Sequence, residues 1–432
     1  MPPKDEAAKE VENLAADPAE KGWIVAYVMT HYPRVALTFI SGEVDEIERL
    51  GAQVLPIVMN NPDAADLRTE EVRKRQQRSL YLKASGSHVF LATIAAFVSH
   101  PWAMARLTAR AVGSARSDLK LMIRRVVHLC YAALTARHCA RNSVRHLHAH
   151  FGQSPASIAW FACEILNFRR GGRCTWSFTI HGFQDFIDEA NARLDLKAAS
   201  AAFVVCISDF TRSQLCRVSD TMFWDRFHVV RCGIDLSAFP FRPTGQLRPV
   251  PRIIIVGRLS PEKGHIILLR ALKMVIESGV EAELEIVGSG PSENAIRNEA
   301  EFLGLSRRIV FQGELLPEDV SAKLAEADVF CMASFAEGIP ISMMEAMAVG
   351  IPVVSTWVCG IPELAENDVT ALTVPPGNSV SLAAALVRLL SDLSLRQRLA
   401  ASARAKVERL HSRQINVPQL RTLIHNQMVG ID

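Results

Sequence analysis

Short apolar runs alternate with longer amphipathic stretches along most of the chain. In the N-terminal half, apolar runs at Trp23–Thr30 and Val54–Met59 flank a stretch with helical periodicity, Thr38–Leu50. A strand, a helix and a second strand in that order predict a parallel sheet with a right-handed crossover. Four further strands are predicted in this half: Val144–His150, Ser177–Ile180, Phe203–Ile207 and His228–Arg231.

The C-terminal half repeats this alternation after a turn-prone linker. Four prolines lie within Pro240–Pro251, which is typical of a connection between domains. Six strands are predicted beyond it, at the spacing of a doubly wound sheet: Ile253–Val256, Leu284–Val287, Ile309–Gln312, Asp328–Met332, Pro352–Ser355 and Ala371–Val374. The pattern predicts two Rossmann-like α/β domains facing across a cleft, with ligands outside the carboxyl ends of the strands.

Chain length agrees with this division, since 432 residues exceed what one ordinary core holds. We predict a flexible tail over residues 1–21 and an N-terminal domain over residues 22–243. The C-terminal domain is predicted over residues 252–410. Residues 411–432 have a helical pattern and could cross back to the N-terminal domain.

Charge is distributed unevenly, although the net charge of +3 gives no argument for nucleic acid as a partner. Between Arg73 and Arg145 there are fourteen lysines and arginines but a single acid, Asp118. The predicted helical insert at residues 68–145 is therefore either a set of solvated helix faces or a surface for anionic lipid, to which aromatic side chains such as Trp102 would contribute.

No apolar run is long enough to span a bilayer, and residues 1–21 lack the apolar core of a signal peptide. The nine cysteines form no CxxC pair, which fits free thiols in a reducing compartment. We therefore expect a cytoplasmic protein that could lie peripherally on the inner face of the cytoplasmic membrane.

Two cations follow the first predicted strand of the C-terminal domain. The run VGRLSPEKGH places Arg258 and Lys263 in a loop between Gly257 and a helix that starts near Gly264. The N–H groups and the dipole at a helix start favour an anion, and the two side chains add positive charge. The pair indicates a diphosphate site, unless both are solvated surface charges.

Two glutamates stand eight positions apart in FAEGIPISMMEAMAVGIPVV. Pro340 and Gly350 suit the first turn and the end of a helix, with Glu337 just before it and Glu345 within it. Eight residues of helix span about 12 Å, roughly the reach between the sugar and the ribose of one nucleotide sugar. A solvated charged pair is the alternative, and the apolar character of the helix argues against it.

These motifs resemble the donor-binding signature of glycosyltransferase family 4, a retaining family with the GT-B fold. The segments VGRLSPEKGH, LEIVGSGP, VFQGEL, ADVFCMAS and GIPELAENDVTALTVPPGN occur in the order of that family and cover most of residues 252–390. The resemblance implies catalytic roles for Arg258 and Lys263 at the diphosphate and for Glu337 at the sugar, with Glu345 on the ribose hydroxyls. The other donor contacts that it implies are Gly257, Gln312, Gly313, Gly338, Ile339, Pro340 and Ile341.

The N-terminal half resembles the bacterial exopolysaccharide branch of this family, of the colanic-acid and amylovoran type. The resemblance is carried by HYPRVALTFISGEVDEIERLGAQV, HLHAHFG and FTIHGFQDF, with a departure from the usual loop at residues 35–37 that bears on the acceptor. His181 matches the family histidine that faces the donor sugar and is a catalytic candidate, the alternative being a structural histidine. Acceptor contacts are expected from Arg34, Thr38, His150 and Asp185.

Three alternating histidines, His146, His148 and His150, share one face of a predicted strand. A metal cluster is the disfavoured alternative there, because the proteins that this chain resembles carry similar histidines without a required metal. A dinucleotide site at VGSGP is also disfavoured, since Glu293 replaces the third glycine. We expect no cofactor and no metal, a nucleotide-sugar donor with UDP-hexose favoured over GDP-hexose, and no nucleic acid.

The expected function is that of a retaining hexosyltransferase acting on a lipid-linked glycan in exopolysaccharide or cell-surface glycan biosynthesis. Two alternatives remain: a GT-B-fold epimerase acting on the nucleotide sugar alone, and an inactive sugar-binding scaffold of a polysaccharide assembly complex. The presence of Arg258, Lys263, Glu337 and Glu345 together argues against the scaffold.

Overall fold

A computed structural model describes residues 22–34, 38–63, 66–67, 69–115, 118–170 and 173–429. The predicted tail over residues 1–21 and the unusual loop at residues 35–37 lie outside this part of the chain. Contacts divide the chain into an N-terminal unit, Met1–Arg231 with Gln414–Asp432, and a C-terminal unit, Cys232–Arg413.

The N-terminal unit is built on a parallel sheet of seven strands. Strands β1 to β7 are Ile24–Met29, Gln53–Val58, Leu80–Tyr81, His146–His150, Thr175–Ile180, Phe203–Cys206 and Phe227–Val229. Their order across the sheet is β3-β2-β1-β4-β5-β6-β7, so the winding direction reverses between β1 and β4. Ligands of doubly wound sheets bind at such a reversal, outside the carboxyl ends of the strands.

The helices between these strands cover both faces of the sheet. Helices α1 to α9 are Thr38–Arg49, Glu70–Gln77, Gly86–Ser99, Pro101–Gly113, Leu119–Arg141, Ser154–Arg170, Glu189–Ala192, Leu194–Ser200 and Asp209–Val218. Residues 25–28 of β1 are 0% exposed, as expected of a strand that is covered on both sides. Ala26 and Val28 pack with α5 and α6, whereas Val25 and Tyr27 pack with Ile40 of α1.

The C-terminal unit repeats the architecture with six parallel strands. Strands β8 to β13 are Arg252–Val256, Glu283–Val287, Ile309–Gly313, Val329–Met332, Val353–Thr356 and Leu372–Val374. Helices α10 to α16 are His265–Glu277, Glu293–Phe302, Pro317–Ala325, Ile341–Val349, Ile361–Leu364, Ser379–Ser391 and Leu393–Leu410. The strand order is β10-β9-β8-β11-β12-β13, with its reversal between β8 and β11.

The boundary between the units lies earlier than the predicted residue 243. The N–H of Ile234 donates to the carbonyl of His411 at 2.9 Å, and the N–H of Arg242 donates to the carbonyl of Val349 at 2.7 Å. Phe239 is buried in the core of the C-terminal unit. These bonds hold residues 232–243 on the C-terminal unit, although the proline-rich composition begins only at Pro240.

The last helix, α17 (Arg413–Val429), packs on the N-terminal unit. Its buried residues Val417, Leu420 and Ile424 join the core that contains Val25 and Ile47. The chain thus leaves the N-terminal unit after Arg231 and returns to it from Gln414.

The insert predicted over residues 68–145 contains the short strand β3 and helices α2 to α5. No single helix in the described part of the chain has both the length and the apolar character of a membrane span. Lys83–Ser99 and Pro101–Gly113 reach that threshold only as a pair, and they are bent by 118° to each other.

Candidate functional site

The loops after β8, β9 and β11 pack tightly at the carboxyl edge of the C-terminal sheet. Gly264 has a φ of +66°, and a Cβ on it would lie 2.0 Å from the carbonyl oxygen of Ala333. A Cβ on Gly288 would lie 2.0 Å from the carbonyl oxygen of Gly257. Glycine at these positions lets the loop between β8 and α10 close onto the loops beside it, so its cations lie at the reversal between β8 and β11.

Lys263 and Glu337 form an ion pair at that reversal. The ammonium group lies 2.6 Å from Glu337 Oε1, and the hydroxyl of Ser334 donates to the same oxygen at 2.9 Å. The two side chains are 19% and 10% exposed, so the pair is largely shielded from solvent. Arg258 is exposed in the same loop. The structure therefore brings three of the predicted catalytic side chains to two adjacent strand ends.

Helix α13 follows the Glu337 loop and starts immediately after Pro340. The first N–H groups of a helix have no partner within it, which makes this helix start favourable for an anion. Glu345 lies one turn further on and is half-buried, and burial raises the pKa of its carboxyl to about 7. Among the described residues no hydrogen bond reaches this carboxyl, so it is available to a ligand.

The predicted base contacts lie at the end of β10. The side-chain amide of Gln312 donates to Glu285, which is itself 3% exposed. The carbonyl of Gly313 accepts the N–H of Gly288 at 2.7 Å. The Gln312 amide and the Gly313 carbonyl thus form hydrogen bonds within the protein. The contact of this backbone with a nucleotide base remains a prediction.

In the N-terminal unit, the register of β4 with β5 explains the alternating histidines. His146 pairs with Thr175 and His148 with Ser177. Each of these two imidazoles bonds two hydroxyls of β5 at 2.7–2.9 Å. Burial lowers the pKa of His146 to about 3. These two histidines are neutral parts of the sheet.

His150, at the end of the same strand, contacts His181 at the end of β5. Nδ1 of His150 lies 2.9 Å from Nε2 of His181. Nε2 of His150 lies 3.4 Å from Oε1 of Glu43 on α1, and the hydroxyl of Tyr27 donates to that oxygen at 2.7 Å. His150 is fully buried, and its contact with an acceptor remains a prediction. Its observed contacts make it a neighbour of His181.

Glu43 is a residue that our interpretation of the sequence missed. It lies three residues after Ile40 and four before Ile47, both buried on the inner face of α1. A carboxylate at this helical spacing points toward the core, and that position was the available signal.

Asp185 is another residue that the sequence predicts as an acceptor ligand. It is 2% exposed, and its two oxygens accept the N–H groups of Gly152 at 2.8 Å and His181 at 3.0 Å. Burial raises the pKa of this carboxyl to about 6. Asp185 therefore ties together the loops that follow β4 and β5, and its contact with an acceptor remains a prediction.

The remaining predicted acceptor contacts are half-buried: Arg34 precedes α1, and Thr38 begins it. Nε of Arg34 is buried and has no hydrogen-bond partner among the residues that the structure describes. The contact of Arg34 and Thr38 with an acceptor therefore remains a prediction.

Glu43, His148 and His150 have the separations of a metal site, since one ligand atom from each lies within 4.8 Å of the others. Both nitrogens of His148 already bond hydroxyls of β5, so a metal there would displace Ser177 or Thr179. The expectation that the protein needs no metal remains a prediction.

Comparisons with known proteins show what the chain is similar to. Residues 243–406 match the family model described as glycosyl transferases group 1. A putative colanic acid biosynthesis glycosyltransferase, WcaL, from Escherichia coli (strain K12) is 35% identical over 207 residues, which are 46% of this chain and 51% of the relative. The amylovoran biosynthesis glycosyltransferase AmsK from Erwinia amylovora is 33% identical over 206 residues, 46% of this chain and 51% of the relative. The chain spans about half the length of these curated relatives.

Solved structures show the same fold across nearly the whole chain. Sucrose-phosphate synthase from Thermosynechococcus elongatus aligns with a TM-score of 0.70 at 18% identity, covering 95% of this chain and 100% of that one. Anabaena Alr3699/HepE, solved in complex with UDP and glucose, aligns with a TM-score of 0.68 at 15% identity and the same coverage.

The chain therefore has the GT-B fold, with two Rossmann-like units built on parallel sheets. Within its C-terminal unit, residues 243–406 match the group 1 glycosyl transferase model. The predicted resemblance to glycosyltransferases of the exopolysaccharide branch is confirmed by these relatives.

Proposed function

We propose that this protein is a retaining hexosyltransferase of family 4 that uses a nucleoside diphosphate sugar to build an exopolysaccharide or another surface glycan. The observation that carries the proposal is the Lys263–Glu337 pair at the sheet reversal. Arg258 lies in the same loop as Lys263, and Glu345 lies in the helix that follows Glu337. The group 1 domain and the exopolysaccharide relatives support the same reaction class.

The leaving group of such a transfer is a nucleoside diphosphate, so the site must stabilise negative charge. Lys263, Arg258 and the start of α13 supply positive charge or N–H donors at one sheet edge. In the free protein Glu337 neutralises Lys263, and a diphosphate that approaches the lysine would release Glu337 to accept hydrogen bonds from sugar hydroxyls. Protein cations thus provide the charge stabilisation, and we propose that transfer requires no metal.

Glu345 is suited to a ribose because a carboxylate accepts from both hydroxyls of a vicinal diol. His181 stays a proposed contact of the transferred sugar. For the donor itself we favour UDP-hexose, since the structural neighbour from Anabaena was solved with UDP-glucose.

A donor-binding experiment on the full chain tests this site. Thermal shifts with UDP-hexoses and GDP-hexoses should reveal one nucleotide class that raises the unfolding temperature by mass action. Lys263→Ala removes a charge-assisted interaction of about 1.5–3 kcal/mol, which corresponds to roughly tenfold to hundredfold weaker binding. Lys273→Ala is the matched control, because Lys273 is a lysine of α10 whose partner is Glu277. Equal donor binding by the Lys263→Ala and wild-type proteins would contradict the site assignment.

Glu337→Ala tests the reaction rather than the fold. We expect donor binding to persist in part and sugar transfer to be lost, as followed by mass spectrometry of a glycan acceptor. Incubation with donor alone distinguishes the alternatives: an isomerised nucleotide sugar would indicate an epimerase, and failure to bind any nucleotide would indicate a scaffold. The anomeric configuration of the product, determined by NMR, decides whether transfer is retaining.

We further propose that a lipid-linked acceptor is reached from a membrane surface on helices α3 to α5. Large apolar side chains are exposed on these helices, and Trp102 is 88% exposed. The set comprises Phe90, Leu91, Ile94, Phe97, Val98, Trp102, Leu119, Ile123, Val126 and Val127. Exposed Lys120 and Arg124 lie among them on α5, so apolar and cationic groups share one surface, as anionic lipid requires.

Vesicle sedimentation tests this membrane surface. The wild-type chain should bind vesicles that contain phosphatidylglycerol, and Trp102→Ser should weaken binding about tenfold or more, given the free energy of burying an aromatic side chain. Phe302→Ser is the matched control, because Phe302 is an aromatic residue that is 84% exposed on α11 of the other unit. Equal binding by both variants and the wild-type chain would refute the surface.

A further inference from the structure

We propose that Glu43 and His150 are positioning residues that hold His181 in a single tautomer, with its proton on Nε2 and its Nδ1 bare. The expected effect of this tautomer on catalysis rests on the proposed transferase function, whereas the assignment of the tautomer does not. Nothing in the comparisons assigns a role to Glu43.

The three side chains form a chain of contacts at the switch point of the N-terminal sheet. Glu43 projects from α1, His150 ends β4 and His181 follows β5. The distances are 3.4 Å from Glu43 Oε1 to His150 Nε2, and 2.9 Å from His150 Nδ1 to His181 Nε2. The Tyr27 hydroxyl, 2.7 Å from Glu43, holds the carboxylate in place.

The contact between Glu43 and His150 is longer than an ideal hydrogen bond, and within the described part of the chain His150 Nε2 has no other partner. That nitrogen therefore faces the carboxylate alone. A bare nitrogen there would set a lone pair against an anion in a buried place, whereas an N–H is attracted to it. Glu43 thus favours the proton of His150 on Nε2.

Once Nε2 of a neutral His150 is protonated, its Nδ1 is an acceptor. The contact at 2.9 Å then requires His181 to donate from Nε2. Since a neutral imidazole carries one proton, Nδ1 of His181 is left bare. The other arrangement reverses both protons and places the Nε2 lone pair of His150 against Glu43.

Burial keeps His181 in the neutral form that this reasoning requires. Desolvation, followed by the neighbouring His150, holds the pKa of His181 well below its usual range. Nδ1 of His181 makes no hydrogen bond among the described residues, so it is the ring nitrogen left for a ligand. A bare Nδ1 accepts a hydrogen bond from a hydroxyl, whereas a protonated Nδ1 would donate one. Glu43 therefore favours the form of His181 whose Nδ1 accepts.

The tautomer can be observed directly in the full chain labelled with 15N-histidine. Two-bond 1H–15N correlation spectra distinguish the Nε2–H, Nδ1–H and doubly protonated rings, and His181→Gln and His150→Gln assign the two spin systems. We expect Nε2–H patterns for both rings in the wild-type protein. An Nδ1–H pattern for His181, or an imidazolium pattern for His150, would overturn the proposal without any variant of Glu43.

Glu43→Met removes the carboxylate while keeping the side-chain length. We expect the Nδ1–H form of His181 to become populated to at least several per cent. Glu48→Met is the matched control, because Glu48 lies on the same helix and pairs with Arg78 rather than with a histidine. An unchanged His181 pattern in folded Glu43→Met protein would contradict the positioning role.

A divalent cation is the rival occupant of these side chains. Adding one equivalent of Zn²⁺ to the metal-free labelled chain should leave both patterns in place. A shift of His150 Nε2 to a metal-bound pattern would show instead that Glu43 and His150 form a metal site. Where transferase activity is present, Glu43→Met should lower kcat several-fold more than it changes the donor KM; if activity is absent, the spectra still decide the tautomer.

Discussion

Replacing Glu345 by glutamine should stabilise the protein at alkaline pH. Burial raises the pKa of this carboxyl from 4.5 to about 7, and no hydrogen bond within the described residues offsets the cost of charging it. This rise in pKa corresponds to about 3 kcal/mol, since a tenfold change in an acid equilibrium is worth about 1.36 kcal/mol. Because the side chain is only half-buried, solvent screening reduces this value, and we expect about 1–3 kcal/mol.

The sign of the pH dependence follows from proton linkage. The folded-state pKa lies above the unfolded value, so between about pH 4.5 and pH 7 the folded protein holds a proton that the unfolded chain has lost. The contribution of Glu345 to the free energy of unfolding therefore falls as the pH rises through this window. Below it the charge costs nothing, and above it the full cost applies.

Differential scanning calorimetry of the wild-type and Glu345→Gln proteins at pH 5 and pH 8 tests this reasoning. At pH 8 the variant should unfold roughly 2–12 °C higher, given about 2–4 °C per kcal/mol for a unit of this size, and at pH 5 the two should nearly coincide. Glu301→Gln, an exposed position on α11, should show no such difference. A stability gap that is equal at both pH values would refute the burial argument. The stabilised variant should also bind nucleotide less tightly, since the carboxylate that costs stability is the proposed ribose ligand.

Two further predictions concern the loops that carry the site. Gly264→Ala should lower the free energy of unfolding in urea by several kcal/mol, because its Cβ would lie 2.0 Å from the carbonyl oxygen of Ala333. Gly304→Ala is the control: its φ is also positive, at +71°, but nothing lies within 4 Å of the added Cβ, so the loss should be only about 1–2 kcal/mol. Equal losses in the two variants would contradict the packing argument. Asp185→Asn replaces one acceptor oxygen by a donor and should destabilise the chain by about 1–3 kcal/mol with faster hydrogen exchange at the His181 amide, and unchanged exchange would refute its bracing role.

Much of the fold was predictable because its signals are local. Each apolar run that predicted a strand overlaps an observed strand, since continuous apolar runs suit strands buried on both faces. The two-residue strand β3 escaped prediction, because Leu80–Tyr81 is too short to show a period. The boundary at Cys232 escaped it too, because the bonds from Ile234 and Arg242 to distant residues leave no trace in composition.

The two candidate sites differ in how far sequence alone reaches. For the donor site, each group follows a predicted strand: the loop with Lys263 comes after β8, and the loop with Glu337 comes after β11. Because the carboxyl ends of parallel strands meet at one edge, chain order nearly suffices to bring Lys263 and Glu337 together.

The N-terminal site depended on contacts that the positions of strand ends do not predict. The sequence predicts His150 and His181 at strand ends. Only the register of β4 with β5 and the packing of α1 decided that Glu43 faces the ring of His150. The tertiary structure likewise decided that the carboxylate of Asp185 accepts from backbone N–H groups. The physical reason is that the side chain of a histidine or a carboxylate forms a hydrogen bond only with a group that lies within about 3 Å. Sequence fixes which groups a residue carries, and the tertiary structure decides which of them meet.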